Sequence, residues 1–126
     1  MRPAMILLPI FLLAAPAFAQ DAAKGEADFR KCRACHSITA PDGTQIVKGG
    51  KTGPNLYGVV GRKAGSVPKY TYSAANKAFG QVWTEALLDK YLTNPQAVVK
   101  GTKMAYPGQK DPAKRAKIIA YLKTLK

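Results

Sequence analysis

The residues most able to do chemistry stand together as Cys32-Arg33-Ala34-Cys35-His36. Two thiols spaced three apart, followed at once by an imidazole, form the C-x-x-C-H pattern of covalent haem attachment. On one helical turn each thiol can form a thioether to a haem vinyl group. The next residue then projects its imidazole toward the iron from the same side, as a proximal ligand. Three other chemistries compete. A disulfide suits an exported protein but leaves His36 unexplained. A thioredoxin-like pair needs a βαβ setting, and no strand-rich segment flanks the motif. Zinc needs four ligands, so a carboxylate would have to join Cys32, Cys35 and His36. Covalent haem accounts for the whole pattern.

Haem iron leaves a second axial position to fill. His36 is the single histidine, so a second imidazole is excluded, and Met104 is the only methionine after Met5. It lies in Gly101-Thr102-Lys103-Met104-Ala105-Tyr106-Pro107-Gly108, where Gly and Pro mark a loop rather than a helix face. A lone Met more often fills a core gap. In a polar, glycine-bounded loop of a haem protein it reads instead as the ligand. A thioether is soft, carries no proton and favours ferrous iron, which raises the reduction potential. With both positions filled, oxygen and peroxide find no open site, and no second His could act as a distal acid or base. The expectation is outer-sphere electron transfer, and no enzyme.

Helices must position these groups. Asp21 can cap a helix from Ala22 to about Lys31, with Gly25 and Phe29 on one face. Thr84 caps a second that carries Leu87, Leu88, Tyr91 and Leu92 and ends at Asn94-Pro95. Asp111-Pro112 opens a third, with Pro at the first helical position and Ile118, Leu122 and Leu125 recurring along one face. Long Gly/Pro-rich loops lie between them. Such loops are unusual in a free-standing domain, and a large apolar cofactor at the centre explains them. The fold class expected is all-α, with three main helices plus long loops wrapped around one covalent haem.

The amino terminus sets the compartment. Arg2 is followed by an apolar run from Ile6 to Ala15, broken only by Pro9, and by Ala17-Phe18-Ala19. This is the pattern of a cleaved signal peptide, too short for the roughly 20 residues that span a bilayer. Residues 1–19 are read as the signal and residues 20–126 as one mature domain, placed in the periplasm. Without Arg2 the 20 basic and 7 acidic residues become 19 and 7, a net charge of +12. Nucleic acid is a poor partner for an exported protein whose bases are spread along the chain. An acidic protein face or an anionic membrane remains.

The sequence resembles the class I cytochromes c, most of all the bacterial cytochromes c2. The matching segments are Lys31 to His36, Lys51-Thr-Gly-Pro-Asn-Leu-Tyr57, Val60-Gly-Arg-Lys-Ala-Gly65, Tyr70-Thr-Tyr72 with Asn76-Lys77, Trp83, Tyr91-Leu-Thr-Asn-Pro95, Gly101-Thr-Lys-Met104 and Ile118-Ile-Ala-Tyr-Leu122. They run in family order through nearly all of residues 20–126. Ser37 to Gly50 is longer than in mitochondrial relatives and resembles the insertion of c2-type proteins.

The resemblance implies roles. Pro54 would offer its carbonyl to Nδ1–H of His36, fixing the tautomer. Arg62, Tyr72 and Trp83 would hydrogen-bond the haem propionates, although Trp83 on its own reads as a core residue. Asn76 and Tyr91 would join a polar network on the Met104 side, with Tyr91 and Thr102 tuning the sulfur. Lys31, Lys51, Lys103 and Lys110 match a docking ring of lysines, while Gln96 and Ala97 stand where relatives carry two more. A monomer would then take electrons from a membrane quinol–cytochrome c oxidoreductase (bc1 complex). It would pass them to a photosynthetic reaction centre or a cytochrome oxidase, in photosynthesis or respiration. Two alternatives are a dedicated acceptor for one periplasmic dehydrogenase, and a haem peroxidase if Met104 is labile.

Overall fold

In the computed structural model, residue 10 and residues 17–126 are described. The signal-peptide reading therefore falls mostly outside the described residues. Among those residues, no helix is long and apolar enough to cross a membrane.

Helix α1 spans Ala17–Asp28 and passes into a 3₁₀ helix over Phe29–Ala34. The expected start at Ala22 behind an Asp21 cap is not what forms. Ala17, Ala19, Ala22 and Ala23 are the strongest helix formers, so the helix continues through Asp21. The tighter 3₁₀ turn carries the Cys32 motif, whose carbonyl accepts from both Cys35 N–H (3.1 Å) and His36 N–H (2.9 Å).

The segment after His36 forms a small antiparallel hairpin, β1 at Ile38–Thr39 and β2 at Gln45–Val47. Asn55 clamps it, accepting from Thr39 N–H (3.0 Å) and donating to Thr39 O (2.8 Å). Helix α2 at Ala74–Phe79 opens on Ser73, whose side chain accepts from Asn76 N–H, and closes on Gly80 at φ 58°. Neither α2 nor the hairpin is signalled by hydrophobic periodicity, since α2 buries no side chain and the strands are two and three residues long.

Helix α3 runs over Glu85–Thr93 with Thr84 as its cap, and α5 over Pro112–Lys123 with Asp111 as its cap, both as the sequence predicts. Pro95 does more than end α3. Asn94 closes α3 and also caps a short helix α4, Pro95–Val98. Leu125 lies just past the end of α5 rather than on it, and still packs against the core.

Helices α1 and α5 cross at Gly25, where a Cβ would fall inside the Lys117 carbonyl. Phe29, one turn on, is 1% exposed and lies 5.7 Å ring to ring from Tyr121. Burying a side chain of that size contributes about 1.5–3 kcal/mol. Helix α5 also packs on α3, where Arg115 bonds Asp89 at 2.7 Å. The architecture is the expected all-α one.

Candidate haem site

A cavity of about 430 Å³ opens between the 3₁₀ helix, the loop from Thr52 to Leu56, α3 and the loop from Thr102 to Pro107. Its walls are mainly apolar, with Phe29, Leu56, Val59, Leu88, Leu92, Ile118 and Leu122 contributing. Its volume falls in the range of about 300–1,000 Å³ usual for cofactor sites. Cys32, Cys35, His36, Pro54, Arg62, Tyr72, Asn76, Trp83, Tyr91, Thr102 and Met104 all line it. Every residue expected at the site therefore meets there, although they are scattered over more than 70 positions.

His36 is 8% exposed, and its Nδ1 lies 2.8 Å from Pro54 O. A carbonyl can only accept, so Nδ1 carries the proton and Nε2 is left as the lone-pair nitrogen. Burial lowers the imidazole's pKa, the Pro54 bond opposes that, and the Arg62 charge adds to the lowering. The ring is kept neutral, the form that binds metal. Gly53 lies flat against it, and a Cβ there would overlap the imidazole.

Cys32 faces the cavity and Cys35 its exposed rim. Burial pushes the Cys32 thiol up to about 11, with the Cys35 charge adding. Its surroundings thus favour an uncharged sulfur, which a thioether also is.

Arg62 is the clearest sign of a missing anion. Its Nη1 donates to Tyr57 O at 2.9 Å, while its buried Nε has no partner among the described residues. Burial lowers its pKa. A half-buried guanidinium with a free donor suits a carboxylate. Tyr72 Oη accepts from Val67 N–H at 3.0 Å and keeps its own proton to donate. These donors, the neutral sulfurs and the apolar walls fit a haem with its propionates.

Elsewhere on the lining, Tyr91 Oη and Thr102 Oγ1 are 3.1 Å apart in a buried pair, and Thr102 Oγ1 accepts from Met104 N–H at 3.3 Å. A hydrogen-bonded chain thus runs from Tyr91 through Thr102 to the Met104 backbone. Asn76 stands apart from it. Its Oδ1 accepts from Ser73 Oγ at 2.7 Å, because Ser73 is drawn there as the cap of α2.

Two of the four expected ring lysines are engaged inside the molecule. Lys103 Nζ donates to Thr71 O and sits 4.8 Å over the Tyr70 ring. Tyr70 in turn donates to Thr52 O at 2.6 Å, bridging the two cavity rims. Lys110 Nζ donates to Thr93 O at 2.6 Å. Lys31 is on the cavity wall, and Lys51 precedes Thr52 on its rim. Tyr106 also lines the cavity, and burial, with the Cys32 charge, raises its phenol pKa. Sequence reasoning passed over it. An aromatic two residues after Met104 was the available signal.

Fold and site together define a small helical protein that encloses one covalently held haem c. The chain belongs to the cytochrome c family, whose members carry electrons, with residues 22–126 matching the family model. It is 60% identical over 92 residues to cytochrome c2 of Rhodobacter capsulatus, covering 71% of this chain and 67% of that protein. To cytochrome c-550 of Paracoccus versutus it is 59% identical over 91 residues, 67% of this chain and 59% of that longer protein. The solved structure of the R. capsulatus cytochrome c2 superposes with a TM-score of 0.76 at 46% identity, covering 82% of this chain and 97% of the other.

Proposed function

We propose that the mature chain, residues 20–126, is a periplasmic carrier of single electrons whose haem iron is held by His36 and Met104. Haem c supplies a reversible one-electron couple at its iron. Cys32 and Cys35 tether it, and His36 offers Nε2 because Pro54 occupies Nδ1. Met104, on the same cavity's lining, would offer a soft, protonless thioether, and the Tyr91–Thr102 pair restrains its backbone. Arg62 would supply a cation and Tyr72 a donor for the propionates, and Trp83, whose backbone N–H donates to Arg62 O, also lines the cavity. The apolar walls exclude water, so few dipoles reorganise when charge changes.

The observation that carries this reading is the His36–Pro54 bond in a cavity that Met104 also lines. With His36 and Met104 both as ligands, the iron would offer peroxide no open position, which favours carrier over peroxidase. The donor is a bc1-type quinol oxidoreductase, and the acceptor a photosynthetic reaction centre or a cytochrome oxidase. Docking runs through the cationic rim bearing Lys31, Lys51, Lys103 and Lys110, by a monomer.

The test is to mix the purified holoprotein with membranes that contain a bc1 complex and quinol. Rapid reduction blocked by a bc1 inhibitor, with negligible turnover of peroxide, is expected. Reduction only by a soluble dehydrogenase, or brisk peroxide turnover with Met104 bound, would contradict the proposal.

A further inference from the structure

The segment that carries Met104 has no regular secondary structure between Thr102 and Asp111, so something else must hold it. Thr102 is the anchor. Its N–H donates to Val99 O at 2.9 Å, and its hydroxyl meets Tyr91 and Met104 N–H. Its carbonyl is taken by a residue that the haem chemistry does not use. Gln96 Nε2 donates to Thr102 O at 2.8 Å, while Gln96 Oε1 accepts from Gly101 N–H at 3.3 Å.

We propose that Gln96 is a positioning residue for Met104, its amide gripping the loop two residues before the sulfur by one donor and one acceptor. The inference rests on the reading of Met104 as the axial ligand.

The chemistry of the grip is specific to a primary amide. A lysine here could donate to Thr102 O but has nothing with which to accept from Gly101 N–H. A glutamate could accept from Gly101 but would set a negative oxygen against the Thr102 carbonyl. Gln96 is itself fixed from below. It follows Pro95, which is fully buried, in a helix capped by the Asn94 side chain. Gly101, at φ 91°, turns the chain where its own N–H and the Thr102 carbonyl both meet the amide. The next residue, Lys103, donates to Thr71 O and adds a second tie just before Met104. The position thus contributes loop order where a lysine would contribute a docking charge.

Displacement of Met104 by added imidazole in the oxidised holoprotein tests this. The readout is the weak long-wavelength sulfur–iron band. Gln96→Lys and Gln96→Glu carry opposite charges, yet both lose half of the grip. Both should bind imidazole about three- to tenfold more tightly than wild type, the scale of one hydrogen bond. Ala97→Lys adds the same charge one residue on with the grip intact, and should match wild type. Imidazole affinities unchanged in both Gln96 variants would overturn the proposal. So would equal shifts in Gln96→Lys and Ala97→Lys, since charge alone would then explain the effect. Absence of the sulfur band in wild type would instead remove the ligand reading, and this inference with it.

Discussion

At the cavity's proximal wall, chemistry depends on atoms that are not there. Gly53 has no Cβ, and His36 fills the space one would need. Gly53→Ala should therefore push the imidazole off its 2.8 Å contact with Pro54. Overpacking of this kind costs about 1–3 kcal/mol. A lower guanidinium midpoint at unchanged slope is the expected result, and an unchanged midpoint would show that the loop gives way. The C-x-x-C-H run and the lone Met104 were legible because their residue types are rare and their spacing carries the mechanism. Pro54, Arg62, Thr102 and Tyr91 were legible only through the family resemblance. A proline carbonyl or a buried guanidinium has no local signature until the fold brings it across. Gln96 was noted as a departure from that pattern. Its two contacts arise from the Gly101 turn, which the sequence alone does not orient.

Elements were legible where a cap and a long apolar stripe agree. Thr84 accepting from Leu87 N–H, and Asp111 accepting from Ala113 N–H, start α3 and α5 as predicted. The start of α1 was misplaced because an acidic residue that could cap a helix instead lies within an alanine-rich one. Helix α2 and the hairpin carry too few buried residues to leave a period. The crossing of α1 and α5 makes a sharper prediction. In isolation Gly25→Ala would stabilise a helix by about 1 kcal/mol. Here the new methyl meets the Lys117 backbone carbonyl and Tyr121 Cβ. A backbone carbonyl cannot swing aside as a side chain can, so overpacking of about 1–3 kcal/mol or more should win. Thermal unfolding of the holoprotein should show a lower midpoint, and a raised one would mean that the helices do not cross here.

Charge is a property of the whole molecule. A net charge of +13 on the full 126 residues, or +12 on residues 20–126, attracts acidic surfaces from beyond contact distance. That attraction is screened over about 10 Å at 0.1 M salt. Electron transfer with an acidic partner should therefore slow steeply as salt rises, by stopped-flow, and a flat response with every partner would refute docking by charge. Lys103 and Lys110 add to this field although their ammonium groups are bonded to Thr71 and Thr93 carbonyls. Lys31 and Lys51, with no such bond among the described residues, are better placed to reach a partner's carboxylates.

Under the proposed function, everything at these three scales depends on one covalent haem with His36 and Met104 as its ligands. The visible spectrum of the periplasmically expressed protein, oxidised and then reduced, with haem retention checked after denaturation, tests that most directly. The account predicts haem that stays with the denatured chain, a sharp reduced c-type spectrum and a weak long-wavelength sulfur–iron band in the oxidised protein. Covalent haem without that band would remove Met104 as a ligand, and a chain that releases its haem on denaturation would contradict the account at its root.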